Sequence, residues 1–289
     1  MRRCPALFAA LALLLSTPLA RAAGPVRVLY AGSLVAMMEH AVGPAFHHAS
    51  GDRFEGYPGG SKALANQIKG RLRRADVFLS ASPGVNAALM GAEHGGWVRW
   101  YVTFARSPLV IGYNPRSRFA HDLQTRPWWQ ALSEPGLHLG RTDPALDPKG
   151  ALAVALLKHA ETVLHQPGLA ARVLGRPGNP AQVLPEEALV GRLQSGQLDA
   201  GFFYSTETAE AHIPTVTLPA DVRLQAVYTI TVLRGAPDAA AGARFVGFLL
   251  GAEGRVMLRA HGLDLVAPHI TGDAAAVPAA LRPVLTSAR

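Results

Sequence analysis

Residues 25–42 read PVRVLYAGSLVAMMEHAV: an apolar strand runs through Gly32-Ser33 straight into a helical pattern. The junction puts the Ser33 hydroxyl and several unpaired backbone N–H groups at the positive end of a helix dipole. That arrangement suits an oxyanion. It also sets the chain's rhythm, because strand and helix patterns keep alternating, as in an α/β fold. Strands are expected over 26–30, 53–56, 76–80, 107–113, 137–140, 201–204 and 227–233. Helices are expected over 34–48 (with Pro44 kinking or dividing it), 61–72, 86–91, 151–164 and 185–193. Two further helices, 239–250 and 254–261, are expected to meet near Gly251. In the 61–72 segment Leu64, Ile68 and Leu72 fall on one face. No repeat or low-complexity linker divides the chain. Strands 107–113 and 227–233 each lie between an outer and a middle block, which predicts a two-strand hinge with the ligand cleft between two lobes.

The first 22 residues read as an export leader. Arg2 and Arg3 form a positive start, residues 6–15 are apolar but too short to span a bilayer, and Ala20-Arg21-Ala22 offers a small-x-small cleavage signal. Cleavage is expected after Ala22 or Ala23. Cys4, the one cysteine, leaves with the leader, so the mature chain has no disulfide and no thiolate metal site. Losing Arg2, Arg3 and Arg21 takes the formal charge from +8 to +5. The remaining basic residues are scattered, and the densest run, KGRLRR over 69–74, has no interleaved aromatics. It reads as a solvated helix end, which argues against a nucleic-acid partner.

Three loops share one design. Ala31-Gly32-Ser33 is the first. Tyr57-Pro58-Gly59-Gly60-Ser61 precedes a helix, its glycines allowing close backbone approach and Ser61 able to cap the helix or hold an anion. Thr142-Asp143-Pro144 to Asp147-Pro148-Lys149-Gly150 leads into another helix start. Each alone is also an ordinary N-cap; three in one exported chain point to an anion held by neutral dipoles, which need no counter-charge and release easily. Arg141 is therefore not expected to anchor the ligand. Tyr204 ends a strand, where open α/β sheets place their ligands. Enzyme signatures are missing. Ser33 lies in A-G-S-L rather than G-x-S-x-G, no H-E-x-x-H or phosphate-loop motif occurs, and adjacent His47 and His48 diverge on a helix. A Ser33-based hydrolase remains the enzymatic alternative.

AGSL, G-G-S-x-x-L-A-x-Q-I, A-D-V-F-x-S-A, T-D-P-x-x-D-P-x-G and LQSGQLDAGFFYSTETA, in that order from about Val26 to about Leu265, resemble the periplasmic binding proteins of molybdate and tungstate ABC transporters. The resemblance implies a two-lobed, type II-like periplasmic-binding-protein fold, with mixed sheets flanked by helices. The expected parts are the leader (1–22), lobe I (23–106 and 227–289) and lobe II (107–226). It implies a non-enzymatic protein in the periplasm, without a cofactor, that delivers molybdate or tungstate to permease subunits and meets the membrane only through them. Sulfate, phosphate, a small carboxylate or ferric ion are alternative ligands, and a sensor subunit is an alternative role. Carried over residue by residue, the ligand contacts fall on Ser33, Ser61, the N–H groups of Lys149 and Glu186, and Tyr204, with Gly32, Gly60 and Asp147 beside them. The archaeal-type relatives add an Asp and a Glu that complete a six-coordinate metal. Here the Asp is matched by Asp147 or Asp143, while the Glu position falls on Phe203, which favours a four-coordinate oxyanion.

Overall fold

The computed structural model describes residues 24–286. The leader expected at 1–22, with Cys4 and the cleavage point, lies outside them. Nine strands carry the described chain: β1 (Pro25–Ala31), β2 (Arg53–Gly59), β3 (Val77–Ser80), β4 (Trp100–Tyr113), β5 (Leu139–Gly140), β6 (Ala200–Tyr204), β7 (Thr215–Val216), β8 (Gln225–Val232) and β9 (Asp264–Gly272). The fold is α/β with a mixed sheet flanked by helices. The order is β2-β1-β3-β8-β4-β6-β5, with β7 and β9 also pairing β4. Pairs β1–β2, β1–β3 and β5–β6 are parallel; the pairs made by β8 and β4 are antiparallel.

Strand β4 joins the two halves of the sheet. Its first part lies between β8 and β9, from Val102 opposite Ile230 to Arg106 opposite Asp264. From Leu109, opposite Tyr204, it pairs β6 instead. The strand is 14 residues long, twice the length expected from the sequence, because Trp100, Tyr101, Val102 and Phe104 are as buried as its apolar second half. Helix Ala239–Leu250 covers β1 and β8, and its Phe245 meets Phe46 edge-on at 5.2 Å and stacks on Phe54 at 5.6 Å. Such contacts add about 0.5–1.5 kcal/mol beyond the area they bury. No described helix is long and apolar enough to cross a membrane.

Three local departures have physical causes. The helix after Ser33 is interrupted: a 3-10 turn (Gly32–Leu34) and one α turn lead into a π turn (Met38–Val42), before α-helix resumes over Gly43–Ser50. Pro44 has no N–H to give, and the widened turn directly precedes it. The helix starting at Ser61 stops at Lys69, so Leu72 is 81% exposed rather than on the buried face with Leu64 and Ile68. Gly70 caps it and Arg71 takes φ 54°, turning the chain away. Strand β9 was not expected at all.

Candidate functional site

The carboxyl ends of parallel strands β1, β2, β5 and β6 lead into the loops singled out in the sequence. After β1, Gly32 and Ser33 are buried, and Ser33 Oγ lies 3.0 Å from Tyr228 Oη of β8. After β2, Ser61 is fully buried at the start of its helix, and its Oγ accepts the Ala81 N–H at 3.1 Å, leaving its own proton free to donate. Gly60 lies so close to the third loop that a Cβ there would sit 2.8 Å from the Leu146 carbonyl oxygen. After β5, Asp147 is the N-cap of helix Pro148–Val163: its Oδ1 accepts the Lys149 N–H at 2.9 Å and the Thr142 hydroxyl at 2.8 Å. At the end of β6, Tyr204 is fully buried and its ring meets that of Tyr228 at 6.2 Å, near perpendicular.

The structure brings these loops together, with Gly32 and Ser33 lining one pocket, Gly60 and Asp147 another, and Glu186 lining both, while Ser61, Lys149 and Tyr204 are fully buried. It also alters how several of them present themselves. The Lys149 N–H, expected to be free for a ligand, is taken by the Asp147 cap. Glu186, expected through its backbone, brings its carboxylate: Oε2 accepts the Gly32 N–H at 2.9 Å, the position an anion oxygen would take at that junction. Of the two candidate acids in the third loop, Asp147 is buried, whereas Asp143 is turned to its own loop and accepts the Ala145 N–H. Phe203, the position matched to the family's Glu, packs with Leu189, Leu193 and Ile213. The acids enter from other positions, so the expectation of a site built from neutral dipoles alone is not met. Arg141 is fully buried and donates to Gln182 Oε1 and the Arg176 carbonyl, each at 3.0 Å. Burial pulls its guanidinium below the ordinary arginine range, partly opposed by Asp143.

Two residues at the cleft escaped sequence reasoning. Glu207 accepts the Lys149 ammonium at 2.8 Å through Oε1 and the Tyr204 N–H at 2.8 Å through Oε2. Tyr228 is the partner of Ser33. The Lys149 ammonium also lies 3.4 Å from Glu186 Oε1. Its own burial would lower it, but Glu207, Glu186 and Asp147 outweigh that and hold it above the ordinary lysine range. Burial, reinforced by Asp147, pushes the Glu186 carboxyl well up, against the pull of Lys149. Burial likewise raises the phenols of Tyr204 and Tyr228, so both keep their protons as donors. No three His, Cys, Asp or Glu side chains among the described residues are disposed to hold a metal ion. Two buried polar atoms in this region have no partner, Asp147 Oδ2 and Tyr204 Oη, while Glu186 Oε1 has only the ion pair to Lys149. An unmet buried polar atom costs about 1–3 kcal/mol, and the Tyr204 hydroxyl is the one that can donate to a ligand.

A family model for bacterial extracellular solute-binding proteins matches residues 26–264. The chain belongs to that family. A Haloferax volcanii protein, provisionally named an ABC transporter molybdenum-binding protein, is 32% identical over 200 residues, which are 69% of this chain and 61% of that protein. The molybdate/tungstate-binding protein WtpA of Thermococcus kodakarensis is 23% identical over 265 residues, covering 75% of this chain and 74% of its own. The periplasmic molybdate-binding protein of Azotobacter vinelandii shares the fold with a TM-score of 0.65 at 19% identity, covering 84% of this chain and 100% of its own. These relatives are solute binders rather than enzymes.

For this solute-binding protein the raised Glu186 carboxyl has a measurable consequence without ligand. The folded protein keeps that proton where the unfolded chain has lost it. The associated stability is therefore full below the ordinary carboxylate range and is lost as pH rises through the raised value. Glu186→Gln is expected to flatten this decline, which begins above the ordinary carboxylate range, in urea denaturation across pH. An unchanged pH slope in the variant would assign the proton elsewhere.

Proposed function

We propose that this solute-binding protein captures molybdate or tungstate in the periplasm and hands it to the permease of an ABC importer. The carrying observation is the buried Tyr204 hydroxyl, which has no hydrogen-bond partner, beside two serine loops whose hydroxyls can donate. Ser33, Ser61 and Tyr204 offer O–H donors to the anion's oxygens. The Asp147 carboxylate discriminates. Sulfate presents only lone pairs, and a like charge about 4 Å away costs about 4 kcal/mol near a protein surface. Molybdate and tungstate carry a larger central metal that takes further oxygen donors, which gives Asp147 something to approach. The names of the three relatives agree with that choice.

The lobes we assign are residues 23–106 with 227–289 against 107–226, hinged where β4 and β8 cross. Contacts between the two would then hold the closed form: Ala63 N–H to the Leu146 carbonyl at 2.9 Å, Lys62 Nζ to the Pro144 carbonyl at 2.7 Å, and Gly32 N–H to Glu186. Binding is favoured over hydrolysis because Ser33 Oγ meets a phenol that keeps its proton rather than a general base.

Titration calorimetry with molybdate, tungstate, sulfate and phosphate tests the reading. Tight binding of the first two and weak binding of the others is expected. Absence of heat and of thermal shift with all four sinks it, and tight sulfate binding moves the protein to the alternative ligand class.

A further inference from the structure

Glu186 and its neighbour Glu187 line two cavities at once. One, of about 110 Å³, reaches from Ser33 to Leu263; the other, of about 380 Å³, is bounded by Gly60, Asp147 and Leu184. Glu187 is exposed, whereas Glu186 is buried and its Oε2 accepts the Gly32 N–H at 2.9 Å. The contact joins residues 154 positions apart, on the two lobes assigned above. Gly32 leaves just enough room for it: a Cβ there would lie 3.0 Å from Oε2 and 3.3 Å from Cγ and Cδ of Glu186. To an N–H donor, a carboxylate oxygen and an oxygen of the cargo anion are the same kind of acceptor. With Oε2 in line at hydrogen-bond distance, this N–H has no place for a second one. Lys149 does not depend on Glu186, because its ammonium is 3.4 Å from Glu186 Oε1 but 2.8 Å from Glu207 Oε1.

We propose that Glu186 is an internal competitor of the anion: its carboxylate occupies the Gly32 N–H in the closed, empty protein and swings aside before an oxyanion takes that place. The residue thereby sets how tightly and how fast anions are captured, and it leaves the choice among them to other groups. A site whose N–H is taken about nine-tenths of the time binds about tenfold more weakly than the free site would. This rests on the oxyanion reading of the site.

Two variants remove the competition in different ways. Glu186→Ala removes the carboxylate. Glu186→Asp keeps the charge but draws it back by one methylene, out of reach of the Gly32 N–H. By calorimetry on folded protein, molybdate affinity is expected to rise by about tenfold in both. Radiolabelled molybdate chased with excess unlabelled anion is expected to leave at the wild-type rate, which places the gain in association. Wild-type or weaker binding by both folded variants overturns the proposal and leaves Glu186 a structural or ligand-holding group. A gain in Glu186→Ala alone assigns the effect to repulsion by the charge, and also overturns it. So does a gain that comes from slower dissociation, since the variant would then hold the bound anion better. Glu186→Asp is the milder change and decides the matter if Glu186→Ala does not fold. Failure of the wild-type protein to bind any of the four anions falls on the oxyanion reading instead.

Discussion

Replacing Ser33 and Ser61 together by alanine is expected to weaken molybdate or tungstate binding by about 3–6 kcal/mol, since each hydrogen bond to a charged group contributes about 1.5–3 kcal/mol. That is roughly a hundredfold to ten-thousandfold change in Kd. The directions of the existing bonds support both serines as donors. Ser61 Oγ already accepts the Ala81 N–H, so its own proton has no competing use. Ser33 Oγ is 3.0 Å from the Tyr228 hydroxyl, a group that keeps its proton and so can donate to it. Both single variants should also lose stability: Ser61→Ala leaves the buried Ala81 N–H unpaired and Ser33→Ala takes a partner from the fully buried Tyr228 hydroxyl, at about 1–3 kcal/mol each. Calorimetry on variants shown by thermal melting to be folded measures the loss. A double variant that binds as the wild type does would remove both loops from the ligand site.

The two loops were legible because their signal is local. Gly32-Ser33 and Gly59-Gly60-Ser61 each join a strand to a helix start within a few residues, and the structure keeps those junctions. The charges of the site were not legible. Glu207 reads locally as an acid in the first turn of a helix, the Ser205–Glu210 segment, and nothing near it points to Lys149, 58 positions earlier. Glu186 fits the same first-turn rule, so its carboxylate looks like a partner of its own helix dipole rather than of the Gly32 N–H. In both cases the pairing is created by strand order, which sequence spacing does not encode. Leu72 shows the opposite error. Its 61–72 periodicity is sound, but a glycine and one left-handed residue end the helix before that position is reached. Strand β9 escaped because Pro268 interrupts it and it pairs β4 alone, so it shows no buried alternation.

The start of helix Pro148–Val163 should be the least forgiving part of the site. A Cβ at Gly150 would lie 2.3 Å from the Thr142 carbonyl oxygen and 2.8 Å from both Asp143 C and Pro144 N. All three atoms are backbone, so no side chain can rotate away. The loop is also tied to the helix by the Thr142 hydroxyl and the Lys149 N–H, which share Asp147 Oδ1. Gly150→Ala therefore has to push helix and loop apart, at about 1–3 kcal/mol of stability for overpacking. The same displacement carries Asp147 and Lys149 away from Glu186 and Glu207, so binding should fall further than stability does, by roughly a hundredfold for a shift near 1 Å. Gly191→Ala provides the contrast. It lies in helix Leu189–Gln194 with nothing within 4 Å of a Cβ, and the same added methyl should stabilise by about 0.4–1 kcal/mol with Kd unchanged. Opposite signs from one chemical change would show that the contact at Gly150, rather than loss of glycine as such, holds the site together. Wild-type affinity in Gly150→Ala would mean that the helix start yields without moving the groups that meet the anion.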